Sequence, residues 1–379
     1  MKNLNTLIFL LFISLGCQSN NPDSTIKTIS IDLTQEKSDI NLTDLIKPDV
    51  DIIPLENYDQ TGNPIYFRDI HKFRHYKNEF YMLDFIYGQR ILVFNNNGEF
   101  QRAVGHLEEG PGGLLQAMDF DIINDTIKVL DVGRILNFEP NGNYISLDKM
   151  EGFMASKFIK FEIGYAFIGG GRDTDNLILA NNEIRQESSF FPYHTRALNV
   201  LLINPMYYSP EGDAIYRRQL NDTLFQINDF ERPSPYLYID FKQKKSNINE
   251  LLNSPNPEAA IVNAGTQYCE IHDFYETKEY QYLAFSVEGE AWVYLQSKKS
   301  EKSFLYKRNN ITNDIMLDPY AFPVGVIGNK FVFKANPQNV LAGIESYQGT
   351  NNHFEKLKKL WANMEKEGNP VLFLVEFNF

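Results

Sequence analysis

The sequence predicts an all-β chain: a six-bladed β-propeller with a helical insertion close to its C-terminus. Three observations predict it. A segment of eleven residues occurs twice, alternating apolar runs surround both copies, and clear helical periodicity is confined to about residues 351–367. Residues 90–100 read R-I-L-V-F-N-N-N-G-E-F, and residues 134–144 read R-I-L-N-F-E-P-N-G-N-Y, an offset of 134 − 90 = 44. A period in the forties signals a unit that cannot bury its own apolar face and must stack on copies of itself.

Each copy follows an apolar run ending in aspartate, Phe80 to Asp84 and Ile127 to Asp131. Within each copy the side chains alternate, Ile91 and Val93 to one side, Leu92 and Phe94 to the other, which is strand periodicity. The Asn-Gly pairs at 97–98 and 141–142 read as hairpin turns with both residues at positive φ. Strand, turn, strand, Asn-Gly turn, strand describes a four-stranded blade. Two hairpins of an ordinary β-sandwich are the competing reading. Weaker copies follow. Asn124-Asp125-Thr126-Ile127 recurs as Asn221-Asp222-Thr223-Leu224, and strands are expected over 280–295, 303–308, 330–335 and 371–379, giving about six blades.

Early strands are expected over 28–33 and 50–55. A propeller must close without leaving an edge, and an N-terminal strand lying beside the C-terminal strand would close it. The helix over 351–367 places Phe354, Leu357, Leu360, Trp361 and Met364 at spacings of three and four; Asn351 or Asn352 caps its start and Gly368-Asn369-Pro370 stops it. Residues 244–262 form a second insertion, read as a short helix and loop able to cover a ligand face.

Ahead of this, residues 1–16 read as a signal segment: Lys2 is its positive region, and Leu7 to Leu15 is apolar but too short to span a bilayer. Residues 17–27 are a polar tether and 28–379 the propeller. Ser14-Leu15-Gly16-Cys17 resembles a bacterial lipobox, with Ser where Leu is more usual. The match makes Cys17 the lipidation site and implies anchoring at the outer membrane or in the periplasm. A plain secretory signal cleaved nearby is the alternative. Loss of residues 1–16 takes the net charge from −13 to −14. A chain this acidic, with no basic tail, is a poor partner for nucleic acid, which needs clustered Lys and Arg. Cys269 has no free cysteine to pair with once Cys17 is acylated, and it lies in a strand pattern, where it reads as a buried inert thiol.

The lipobox, the strands ending in Leu-Asp, R-I-L-x-F-x-x-x-G-x-F and V-G-H-L-E-E-G-P-G-G (104–113) together resemble the six-bladed β-propeller lipoproteins with NHL- or TolB-like blades. Gly105, Gly110, Pro111, Gly112 and Asp119-Phe120 match that family's pattern, and Gly113 stands where Glu is usual. The resemblance covers about residues 28–379 and implies fold and location more than activity.

Candidate chemistry is sparse. Gly105 to Gly113 lacks the Lys-Ser/Thr and the following helix of a phosphate loop, so it reads as a crossover between blades. His71 and His75 share a face of a strand, but Lys72 occupies the place of a zincin glutamate, so no metal site is assigned. If that basic stretch is an innermost strand, Arg68 and His71 are the candidates to line the channel and bind an anionic group; an ordinary solvated strand is the competing and simpler reading. Gly169-Gly170-Gly171-Arg172-Asp173 reads as a turn. No cofactor is expected; Asp119, Asp121, Asp131 and Asp240 leave Ca²⁺ as an ion a channel could hold, although no calcium loop is present. With no catalytic signature, the expected role is a membrane-anchored binding or scaffold module for a peptide, glycan or protein. The alternative is a lyase or hydrolase of NHL type, which requires His, Asp, Glu or Tyr side chains of perturbed pKa near the axis.

Overall fold

A computed structural model describes residues 26–379 apart from 66, 87, 170–174, 193–203, 246–249, 252, 265–267, 350–351 and 363. Six antiparallel sheets of the propeller type run in chain order. From the innermost strand outward, blade I is Lys72–Tyr76, Glu79–Leu83, Ile91–Asn95 and Phe100–Val104. Blade II is Asp119–Ile123, Thr126–Asp131, Arg134–Phe138 and Tyr144–Lys149. Blade III is Ala155–Phe161, Gly164–Gly169, Asp175–Asn181 and Gln186–Pro192. Blade IV is Met206–Tyr208, Ala214–Arg217, Thr223–Ile227 and Ser234–Asp240. Blade V is Glu270–Glu276, Tyr280–Val287, Glu290–Ser297 and Ser303–Lys307. Blade VI is Phe322–Ile327, Lys330–Ala335, Val371–Val375 and Asp51–Pro54.

The duplicated segment forms the third strand of blades I and II. Ile91 and Val93 enter the core between blades I and II, whereas Leu92 and Phe94 enter the one between VI and I. Ile135 does for blades II and III what Ile91 does for I and II, and both are fully buried. Burying each such side chain contributes about 2 kcal/mol. A blade is covered on both faces, so a middle strand can be apolar at successive positions, as Ile91-Leu92-Val93-Phe94 shows. Among the described residues there are six such cores, one at each blade interface.

Closure follows the expected route. Asp51–Pro54 pairs antiparallel with Val371–Val375, so one blade draws strands from both ends of the chain. The earlier strand, Lys27–Ser30, does something the sequence did not suggest: it adds a parallel fifth strand to the outside of blade IV. From there the chain passes over blade V, where the Lys37 N–H donates to the Leu305 carbonyl at 2.7 Å. Ile40–Asn41 then pairs with Ile311–Thr312 before the chain reaches blade VI.

The Asn-Gly turns differ from expectation. Only Gly98 (φ 84°) and Gly142 (φ 93°) have positive φ; their asparagines do not. The Gly98 N–H bonds the Asn95 carbonyl, the Asn95 N–H bonds the Glu99 carbonyl, and the register shifts at Val93/Phe94, which is a type I turn followed by a glycine bulge. Two-residue turns with both φ positive occur instead at Lys77-Asn78 and Asn124-Asp125. The repeated Asn-Asp-Thr text is not a structural repeat. Asn124-Asp125 joins the first two strands of blade II, whereas Asn221-Asp222 precedes the third strand of blade IV.

Helix α1 (Pro257–Val262) lies in the 244–262 insertion. The last insertion holds α2 (Pro337–Ser346), which the sequence reading missed, and α3 (Asn352–Trp361), shorter than expected. Phe354, Leu357 and Trp361 of α3 enter the core between blades V and VI. Asn352 is its first residue and Asn351 lies outside the described residues. Beyond the helix, Asn369 ties the chain to the closing segment. Its N–H donates to Asn57 Oδ1 at 2.7 Å and its amide to the Glu56 carbonyl at 2.7 Å.

Candidate functional site

The innermost strands of the six blades surround the axis, and the two ends of the channel they form have different chemistry. Where the strands begin, the channel is filled by charged side chains. Lys72 Nζ lies 3.2 Å from Asp119, and Arg74 Nε lies 2.9 Å from Asp121. Asp119 also accepts the Phe158 N–H at 3.0 Å. The Lys157 ammonium donates to the Met118 carbonyl at 3.2 Å and sits 5.2 Å from the Phe85 ring centroid. Burial disfavours the charged form of both lysines and brings Lys72 down to about 8, with Lys157 lowered as well. Burial also opposes the Arg74 charge, but Asp121 outweighs it and keeps the guanidinium protonated; the same pair holds the Asp121 carboxyl below its usual range despite its burial.

Arg68 and His71 lie at this end. Arg68 is exposed, just before the first strand, and its N–H donates to Asp84 Oδ2 at 2.9 Å. His71 is buried with its ring edge-on to Phe85, centroids 4.3 Å apart, and its Nδ1 is 3.6 Å from Asp84. Burial lowers its pKa, against the pull of Asp69 and Asp84. His75 faces the other end, within 3.2 Å of Asn96 Oδ1, so the two histidines do not converge. No cluster of three or more His, Cys, Asp or Glu suited to a metal occurs among the described residues.

Asp84 and its blade II counterpart Asp131 explain the aspartate that precedes each repeat. Asp84 accepts the N–H groups of Arg68 and Asp69; Asp131 accepts those of Leu115 and Gln116, 47 residues on in each case. Each carboxylate therefore clamps the chain entering an innermost strand. Burial would raise the Asp131 pKa, but these N–H donors and Arg134 hold it down. The glycine-rich segment 105–113 is the crossover from blade I to blade II, as expected. A Cβ at Gly113 would sit 2.1 Å from the Glu108 carbonyl oxygen, and one at Gly105 would sit 2.3 Å from Leu114. Cys269 is buried, with its thiol pushed up to about 12 by burial. The turn after Gly169 and the lipobox with Cys17 lie outside the described residues.

Where the innermost strands of blades I, IV, V and VI end, the channel opens into a chamber of about 530 Å³. Phe73, Met206, Tyr207, Tyr208, Phe274, Tyr275, Val324 and Val326 form its walls, and Asn204, Ser209, Thr277 and Lys278 add polar groups. Arg74 lies 5.9 Å from the Tyr208 ring centroid. The Asn204 amide donates to the Tyr275 hydroxyl at 2.8 Å. Glu276 is fully engaged by Tyr236 (2.7 Å) and Lys298 (2.6 Å).

Behind the wall, on the same strand face as Tyr275, lies Asp273. Its Oδ1 is sealed from solvent without a hydrogen-bond partner. Burial raises its carboxyl to about 6, although Arg217 and Asn204 pull the other way. Arg217 is itself buried and donates to the Ile271 and His272 carbonyls, both at 2.6 Å. The Tyr207 hydroxyl is likewise sealed and unbonded. Sequence reasoning did not find Asn204, Tyr207, Arg217 or Asp273. They come from two blades and a connecting segment, and no spacing links them.

The comparisons with known proteins agree with this architecture. Among proteins of curated function none matches the sequence. Of solved structures, a protein from Bacteroides fragilis described as exported is 14% identical, covers 94% of this chain and 100% of its own, and superposes with a TM-score of 0.73. A member of the DUF4221 family from Bacteroides vulgatus is 12% identical, covers 91% of this chain and 99% of its own, with a TM-score of 0.52. At these identities the likeness speaks for the fold alone. The model of a family described as a domain of unknown function, DUF4934, matches residues 26–376, and the chain belongs to that family.

Proposed function

We propose that this protein is an exported, lipid-anchored binding module that holds the end of a peptide or glycan chain in the axial chamber. The observation that carries the reading is the chamber itself: a cup of about 530 Å³ whose walls are largely apolar and aromatic with a few polar groups beside them, the composition of a ligand pocket. Three tyrosines offer flat faces for sugar rings or peptide side chains, and Asn204, Thr277 and Lys278 offer hydrogen bonds. The anchor rests on Ser14-Leu15-Gly16-Cys17 and on the exported protein of similar fold. Among the described residues no helix is long and apolar enough to cross a membrane. Arg68 and His71 are the candidates for an anionic group at the opposite mouth.

The enzyme reading draws on Asp273, whose raised pKa is the kind found at catalytic bases. Against it, Glu276 and Arg74 are already committed to ion pairs, and Asp273 lies behind the chamber wall next to Arg217. The mature chain should therefore bind on peptide or glycan arrays, and Val326→Trp, which fills the chamber, should weaken that binding at least tenfold with the fold intact by circular dichroism. Silence on both arrays together with measurable turnover would favour the enzyme. Labelling with radioactive palmitate, lost in Cys17→Ser, tests the anchor.

A further inference from the structure

A second cavity, separate from the chamber, lies between blades V and VI under the C-terminal end of α2, with a volume of about 380 Å³. Leu42, Val293, Ile311, Met316, Leu317 and Phe333 make its interior apolar. Into this lining project one cation, Arg308, and three phenols, Tyr347 and the pair Tyr282 and Tyr306. Arg308 Nε donates to the Pro319 carbonyl at 3.2 Å, and its Cζ lies 5.9 Å from the Tyr320 ring centroid. Its Nη2, in contrast, is sealed from solvent and has no hydrogen-bond partner. A charged donor left unmet in a sealed site is destabilising, and an anion at that atom would satisfy it. Burial keeps both phenols of the pair protonated, so each is a donor, and Arg308 acts electrostatically on both.

We propose that this cavity binds a small amphiphilic carboxylate. Its head would accept from Arg308 Nη2 and the phenols of Tyr282 and Tyr306, and its aliphatic or aromatic body would fill the apolar interior. A neutral apolar molecule leaves the guanidinium donor unmet, and a small hydrophilic anion leaves the interior unfilled, so both requirements fall on one ligand.

The test is calorimetric titration and thermal shift of the mature chain with decanoate, hydrocinnamate and decanol. One or both carboxylates should bind and raise the melting temperature, with decanol at least tenfold weaker; which acid wins distinguishes an aliphatic from an aromatic source. Arg308→Met should lose at least tenfold in carboxylate affinity while decanol affinity stays the same. The proposal is overturned by equal affinity for decanoate and decanol, by no binding of either acid, or by full carboxylate affinity in Arg308→Met. The comparison of acid with alcohol on the wild type needs no variant, so a poorly folding Arg308→Met does not rescue the idea.

Discussion

Replacing Asp273 by Asn should stabilise this protein, and by an amount that depends on pH. The carboxyl sits near pKa 6 in the folded chain against 3.8 for the free group. Asn approximates its protonated form, so the substitution removes the cost of holding the charge in a sealed site. From the two pKa values that cost is about 3 kcal/mol at pH 7.5 and about 1 kcal/mol at pH 4.5. The sign follows from proton counting. Between 3.8 and 6 the folded state binds more protons than the unfolded one, so stability contributed by this group falls as pH rises through that window and is fully present only below it. The attraction to Arg217 is already contained in the folded pKa, so its loss is not an extra debit. Urea denaturation of wild type and variant at the two pH values measures the difference directly. A variant no more stable than wild type at pH 7.5, or an advantage unchanged between the two pH values, would refute the reasoning. A gain of the expected size means the chain tolerates an unfavourable charge beside its chamber, which is where function, not folding, sets the residue.

Three further outcomes are expected. Gly98→Ala should destabilise by roughly 3 kcal/mol or more, because the added Cβ meets the Pro54 carbonyl oxygen of the closing strand at 2.0 Å; Gly142→Ala, with its nearest atom at 3.4 Å, should lose only about 1 kcal/mol for positive φ, both read by denaturant midpoints. Asp131→Ala should cost about 2–4 kcal/mol by leaving the Leu115 and Gln116 N–H groups unmet and removing the ion pair with Arg134, and its contribution, held by a depressed pKa, is present at neutral pH and lost as acid titrates the wild type. The stability of wild type minus that of Lys72→Met should rise by about 2 kcal/mol between pH 7 and 9.5, since a lysine lowered to about 8 gives up its proton in the fold before it does so unfolded; a flat difference would contradict its burial as a strained cation.

The repeat was legible because blade packing imposes it. Ile91 and Ile135 occupy equivalent places at successive interfaces, so the same residue types are required at both. The closing strand was legible because an open ring would leave an edge, and Asp51–Pro54 fills it. The turn type was misread because Asn-Gly serves both a two-residue turn and a bulged one, and only register decides between them. Helix α2 escaped notice because Asn339 and Gly343 interrupt its helical pattern and its fixed points come from outside: Asp318 accepts from the Asn336 N–H and the Asn339 amide. The chamber was illegible for a different reason. Tyr207 and Tyr208 stand more than sixty residues before Phe274 and Tyr275 in the chain, and the two pairs meet only because blades IV and V adjoin. Spacing within one element can report a helix face or a strand face; it cannot report what two blades bring together across an axis.

The leading segment, laid across the outside of blades IV, V and VI, gives the molecule a mechanical direction. A pull at residue 26 along the Lys27–Ser30 strand loads its four registered pairs with blade IV together, in shear, instead of opening them one by one. Behind that grip come the contacts at Leu305 and Ile311, and only then the seam of blade VI. Traction on the front of the chain is thus spent on the rim of the ring, far from the cup at its centre.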